Sequence, residues 1–125
     1  MRLVVEHGQA QAPAAGFTAC GDAICALTSP SVGLYAVVDA LGHGPDAAAC
    51  AAVAVAALRA SFELPLAQLF AHCDRALRGP RGAVISAIRV DEDGVWFAGV
   101  GNVDVYGPRG IGKPAARPGI VGRCA

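Results

Sequence analysis

Two acidic residues stand where chemistry is most easily placed. Asp39 closes the apolar run Gly33-Leu34-Tyr35-Ala36-Val37-Val38, and Leu41-Gly42-His43-Gly44-Pro45 follows at once. A carboxylate at the end of a buried strand is partly desolvated and needs a partner, either backbone N–H groups or a hard cation. Asp22 follows Gly21 directly before another apolar run, 23–28, so the two acids are expected to converge at one end of a sheet. Oxygen ligands of this kind suit a hard divalent cation. Paired carboxylates, one of them bridging two ions, would suit metal-assisted hydrolysis of a phosphate ester. The competing reading on spacing alone is that Asp39 caps the helix that begins after the loop. His43 sits between two glycines in that loop. It either shapes the turn or, because imidazole titrates near neutral pH, meets phosphate or moves a proton.

The elements that would position these residues follow from periodicity. Positions 2–7 read as a first strand, 23–28 as a second and 33–39 as a buried third. Pro45 suits the first position of a helix and Asp46 its positive end. The spacing of Ala51, Ala54, Val55, Leu58 and Phe62 predicts a helix over 47–62, interrupted by Glu63 and Pro65. Leu66, Leu69, Phe70, Cys73 and Leu77 predict a second helix over 66–77, stopped at Gly79-Pro80. The period then becomes two: 82–90 and 95–100 flank the turn Asp91-Glu92-Asp93-Gly94, and 103–106 reads as a further strand. From Gly107 onward, Gly, Pro and Arg dominate, and little regular structure is expected. Strands, two consecutive helices and an antiparallel meander define an α+β layered fold and exclude a doubly wound parallel sheet.

Composition narrows the partners. Ten basic residues balance ten acidic ones, which leaves no excess to neutralise a nucleic-acid backbone or an anionic membrane. The chain is 54% hydrophobic and 16% charged, so it has the material for a packed core. Its longest apolar stretch, 47–58, falls short of the roughly 20 residues a bilayer requires. An odd cysteine count, with neither CxxC pairs nor a signal-length apolar segment, fits a reduced, cytoplasmic, soluble protein. Its partner is expected to be a protein or a small molecule, and nothing in the pattern fixes an oligomeric state.

Four segments carry a family resemblance. Gly21-Asp22-Ala23, followed by V-V-D-A-L-G-H-G-P-D-A-A at 37–48, is similar to the G-D … V-D-G-L-G-H-G-P-E-A-A pattern of the PPM (protein phosphatase 2C-like) serine phosphatases, RsbX/SpoIIE-type branch. The residues at 75–84 resemble a helix end and strand start of that branch, and Phe97-Ala98-Gly99-Val100-Gly101-Asn102-Val103 resembles its hairpin. The resemblance implies an αββα sandwich with manganese or magnesium, two ions in the family, held between its sheets. It implies metal-binding roles for Asp39 as bridging carboxylate, Asp22, and the backbone carbonyl of Ala40, where the family usually has Gly. Gly21, Gly42 and Gly44 would shape the surrounding loops. The implied activity is hydrolysis of phosphoserine or phosphothreonine on a regulatory protein of the anti-sigma antagonist or stressosome type. The family draws further metal-binding acids from later S-D-G-like and D-D segments, whereas this sequence stops at Ala125, after Gly119-Ile120-Val121-Gly122. Residues 1–125 are therefore expected to form one phosphatase-like domain lacking the family's last strands and helices. The alternative is a non-catalytic fragment or regulatory protein-binding module.

Other constellations lead nowhere. His72-Cys73-Asp74-Arg75-Ala76-Leu77-Arg78 is one residue short of a cysteine-phosphatase loop, and Cys73 falls on the apolar face of a helix, as expected of a buried thiol. Gly99-Val100-Gly101 lacks the helix and third glycine of a dinucleotide loop. The three histidines and five cysteines have no zinc spacing. Trp96 alternates with Val95 and Phe97 on a strand and is expected to serve packing rather than ligand stacking.

Overall fold

The computed structural model describes residues 5–10, 21–42, 44–78, 82–101 and 121–122. Two strands come first, β1 (Asp22–Thr28) and β2 (Val32–Ala40). They form a hairpin whose turn is closed by Ser29, which donates its N–H to the Val32 carbonyl (2.8 Å) and accepts the Val32 N–H on its hydroxyl (3.2 Å). Two helices follow, α1 (Pro45–Ser61) and α2 (Leu66–Ala76), and then a second hairpin, β3 (Ala83–Asp91) and β4 (Gly94–Val100). The strands form one antiparallel sheet in the order β1-β2-β3-β4. Each expected element between 23 and 100 is present, with ends shifted by a residue or two. Residues 5–7, expected as the end of a first strand, are not in a strand; His7 instead lays its ring against Tyr35, centroids 5.5 Å apart. The expected strand at 103–106 lies outside the described residues.

The helices cover one face of the sheet. Leu34, Ala36, Val38 and Ala40 alternate along β2 toward them and meet Ala47, Ala51, Ala54, Ala57 and Leu58 of α1 and Leu69 and Cys73 of α2. Alanine at four buried positions of α1 lets that helix lie close to the strands. The largest fully buried side chains, Leu34, Leu58, Leu69 and Ile85 among them, supply the core, each worth about 1.5–3 kcal/mol on burial. The opposite face carries Ile24, Tyr35, Val37 and Ile88, and a cavity of about 200 Å³ opens there between His7, Ile24, Tyr35 and Ile88. Among the described residues no second sheet covers this face, so the architecture seen is a helix layer on a four-stranded sheet.

The turn between β3 and β4 is fastened by Asp91. One carboxylate oxygen accepts the N–H groups of Asp93 (2.8 Å) and Gly94 (3.2 Å) and, more distantly, the Trp96 indole N–H (3.4 Å); the other pairs with Arg89. Trp96 is 49% exposed, which corrects the expectation that it serves packing: among the described residues β4 is the outermost strand, and its hairpin end leaves the indole at the surface. Cys73 is buried as expected. Among the described residues no helix is long and apolar enough to cross a membrane.

Candidate metal centre

Asp22 and Asp39 are directly opposite each other in the β1–β2 ladder. The preceding pair, Gly21 and Ala40, carries a ladder hydrogen bond, with the Ala40 N–H donating to the Gly21 carbonyl at 2.9 Å. Hydrogen-bonded and non-hydrogen-bonded pairs alternate in an antiparallel ladder, so the two aspartates occupy a non-hydrogen-bonded pair, where facing side chains stand closest. Both are exposed, on the face away from the helices. The sequence placed these acids at one end of a sheet, and the ladder brings them there side by side.

Their proximity shows in their chemistry. The Asp39 carboxyl is held above the ordinary carboxylate range, first by partial desolvation, then by a hydrogen bond with Asp22 and by the negative charge of Asp22. Two carboxyls in this relation resist ionising together. A divalent cation would remove that conflict by neutralising both and would accept hard oxygen donors at this end of the sheet. The pair therefore fits a magnesium or manganese ion in charge and donor type. Among the described residues, no group of three or more Asp, Glu, His or Cys side chains is gathered closely enough to hold a metal.

The loop after Asp39 is built on glycine. Gly42 and Gly44 have φ of 84° and 82°, a region that side chains disfavour, and this lets the chain reverse from β2 into α1 within a few residues. Gly44 is the N-cap of α1, which has no side-chain cap, and Pro45 opens the helix. Asp39 consequently does not cap α1, and the capping alternative is corrected: the reversal leaves its carboxylate in the ladder, opposite Asp22. Gly21 is required for another reason. A Cβ there would stand 2.9 Å from the Cβ of Ala47, so β1 can begin against the first turn of α1 only without a side chain. His43, the other residue of interest in this loop, lies outside the described residues.

Sequence reasoning missed two features around the pair. Ile24 and Val37, the next residues on the same face, place an apolar strip beside the carboxylates that runs into the cavity under His7. The run Gly33–Val38 is apolar on both faces and hides which half faces the site. The second is the closure of this sheet end by Val121, which pairs with Ala83 through two backbone hydrogen bonds of 2.8 and 3.1 Å. The short Ile120-Val121 pair between Gly119 and Gly122 carries no local signal for a contact so distant in the chain.

No family model and no curated protein matches the chain. Among solved structures, it is similar to a chain in the structure described as "The bacterial stressosome: a modular system that has been adapted to control secondary messenger signaling". That alignment has 42% identity and a TM-score of 0.80, covering 89% of this chain and 60% of the other. The chain is also similar to RsbX, in a crystal structure of RsbX in complex with magnesium, at 23% identity and a TM-score of 0.79, covering 93% of this chain and 61% of RsbX. It thus spans about three fifths of each of these chains. Within that span, the fold described above is the one shared with RsbX and with the chain from the stressosome structure.

Proposed function

We infer that this chain carries the metal-binding end of a PPM-type (protein phosphatase 2C-like) serine/threonine phosphatase of the RsbX/SpoIIE branch, serving bacterial stress signalling. The observation that carries this reading is the in-register Asp22–Asp39 pair, two carboxylates opposed at the sheet end that leads into the Gly42–Gly44 loop. Similarity to a chain of a stressosome structure and to RsbX, which was crystallised with magnesium, supports the setting and the choice of cation. Asp39 and Asp22 would hold manganese or magnesium, with the Ala40 carbonyl beside them. When bound, such ions polarise phosphoryl oxygens and lower the pKa of water. The residues of this chain hold the two carboxylates in one ladder, and the loop glycines let the chain turn tightly beside them. The substrate class is a phosphoserine or phosphothreonine on a regulatory protein of the anti-sigma antagonist or stressosome type.

A second reading is favoured by a separate observation. No third acidic ligand joins the pair among the described residues. A phosphatase-like module that binds a regulatory protein without hydrolysing phosphate accommodates this. Manganese titration by calorimetry, paired with release of phosphate from a phosphoserine peptide, separates the two. Saturable binding with phosphate release supports the phosphatase. Absence of binding at millimolar manganese rules out catalysis by this chain and leaves the binding module.

A further inference from the structure

The end of the sheet that bears the carboxylates is assembled from more than β1 and β2. The Leu41 N–H, two residues beyond Asp39, donates to the Gly82 carbonyl at 2.9 Å, and Ala40 lies opposite Ala83. β4 has already ended, since its last residue, Val100, pairs with Ile85. At Ala83 the neighbour on that side of β3 is Val121, 3% exposed and hydrogen-bonded in both directions. Gly122 then donates its N–H to an Asp74 carboxylate oxygen at 2.9 Å. It also passes so near the C-terminal end of α2 that a Cβ would stand 2.4 Å from the Leu77 carbonyl oxygen. Among the described residues the other Asp74 oxygen faces Arg78, at 3.9 Å, and that arginine side chain is 71% exposed, a pairing of little strength. The Asp74 side chain is itself only 20% exposed, which makes the Gly122 N–H its principal partner.

We propose that Asp74 is a positioning residue for the Asp22–Asp39 end of the sheet: from α2 it holds Val121–Gly122 against Ala83 and thereby fixes the start of β3, on which the Leu41 end of β2 rests. The proposal rests on the metal-binding reading for its functional meaning, but its structural content is independent of any ion. A hydrogen-bonded series runs from α2 to the residues flanking both carboxylates: Asp74 to Gly122, Val121 to Ala83, Gly82 to Leu41, and Ala40 to Gly21.

The test uses the full chain with Asp74→Ala, Asp74→Asn and Arg78→Ala. Asparagine keeps a carbonyl oxygen for the Gly122 N–H, whereas alanine does not. Amide hydrogen exchange at Val121, Ala83 and Leu41 reads the closure without metal, and manganese titration reads the site. Asp74→Ala is expected to speed exchange at all three amides by about tenfold, as local opening, while the rest of the sheet keeps its protection. Manganese affinity should fall about tenfold, as for groups that orient ligands. Asp74→Asn should restore both, and Arg78→Ala should change neither. Unchanged exchange at Leu41 in Asp74→Ala overturns the proposal, as does faster exchange with unchanged manganese affinity. Where the alanine variant does not fold, Asp74→Glu, which displaces the acceptor by one methylene, is read by the same criteria. If the unsubstituted chain binds no manganese, the metal reading fails, and Leu41 exchange alone decides whether Asp74 positions the sheet end.

Discussion

Asp39→Asn should make the metal-free protein more stable while removing its response to metal. The carboxyl groups of Asp22 and Asp39 oppose each other in a non-hydrogen-bonded pair, which places like charges about 5 Å apart. Both side chains are exposed, so a water-like dielectric applies and the repulsion is about 0.8 kcal/mol before salt screening. Screening reduces this to about 0.5 kcal/mol, within the range for like charges directly across a ladder. Asparagine removes one charge and retains a donor for Asp22. Thermal unfolding followed by circular dichroism in chelator at neutral pH should therefore show a Tm about 2 °C higher for the variant. The difference has a pH signature. Asp39 has a folded-state pKa above its ordinary 3.8, so it contributes stability that is complete below pH 3.8 and lost as pH rises through the folded value. The two proteins should thus converge in acid and separate as pH climbs above 3.8. With manganese at a hundred times its dissociation constant, the unsubstituted chain should gain about 2.7 kcal/mol and the variant none. A variant less stable than the parent in chelator, or one still stabilised by manganese, refutes the reasoning.

Other perturbations read other parts of the molecule. Leu34→Ala empties a fully buried position in β2 and should cost about 2–5 kcal/mol in chemical denaturation, with the m-value unchanged. The Asp91 carboxyl is held below 3.8, first by the Asp93 N–H; desolvation opposes this, and Trp96, Arg89 and Gly94 each add to the lowering. Its stabilisation is present above pH 3.8 and lost as pH falls through the folded value, so protection of the Asp93 and Gly94 amides, measured against their intrinsic exchange rates at each pH, should fall in acid, and this fall should be absent in Asp91→Asn. Burial, followed by the nearby Cys25, pushes the Cys73 thiol up to about 11. Mass spectrometry after alkylation at pH 8 should find Cys73 unlabelled until the protein unfolds.

The elements from β1 to β4 were legible because each carries its own period and its own punctuation. Pro45 marks the start of α1, Pro65 separates the helices, and Asp93-Gly94 turns the second hairpin. The convergence of Asp22 and Asp39 was legible for a different reason: each acid bounds an apolar run near glycine, Asp22 directly after Gly21 and Asp39 three residues before Gly42. Their exact opposition was not, because register depends on where the Ser29–Val32 turn closes, and a shift of one residue would separate the charges onto opposite faces. The exposure of Trp96 could not be read from alternation, which is the same for an edge strand as for a central one. Gly21 looked like loop material, yet its need arises from Ala47, an approach set by how α1 packs. Asp74 looked like any polar residue on a helix, since its partner lies 48 positions away.

The route of the chain through the sheet also sets an order of events. β1 and β2 are joined by a short turn, and hairpins of this kind close in about 1–10 μs. β2 and β3 pair only after both helices have been spanned, a separation of about forty residues that makes their meeting entropically harder and slower. The two acids therefore confront each other in a local unit, before the core exists to hold them. A cation present at that moment would lower the barrier to assembly, so metal should quicken refolding as well as retard unfolding.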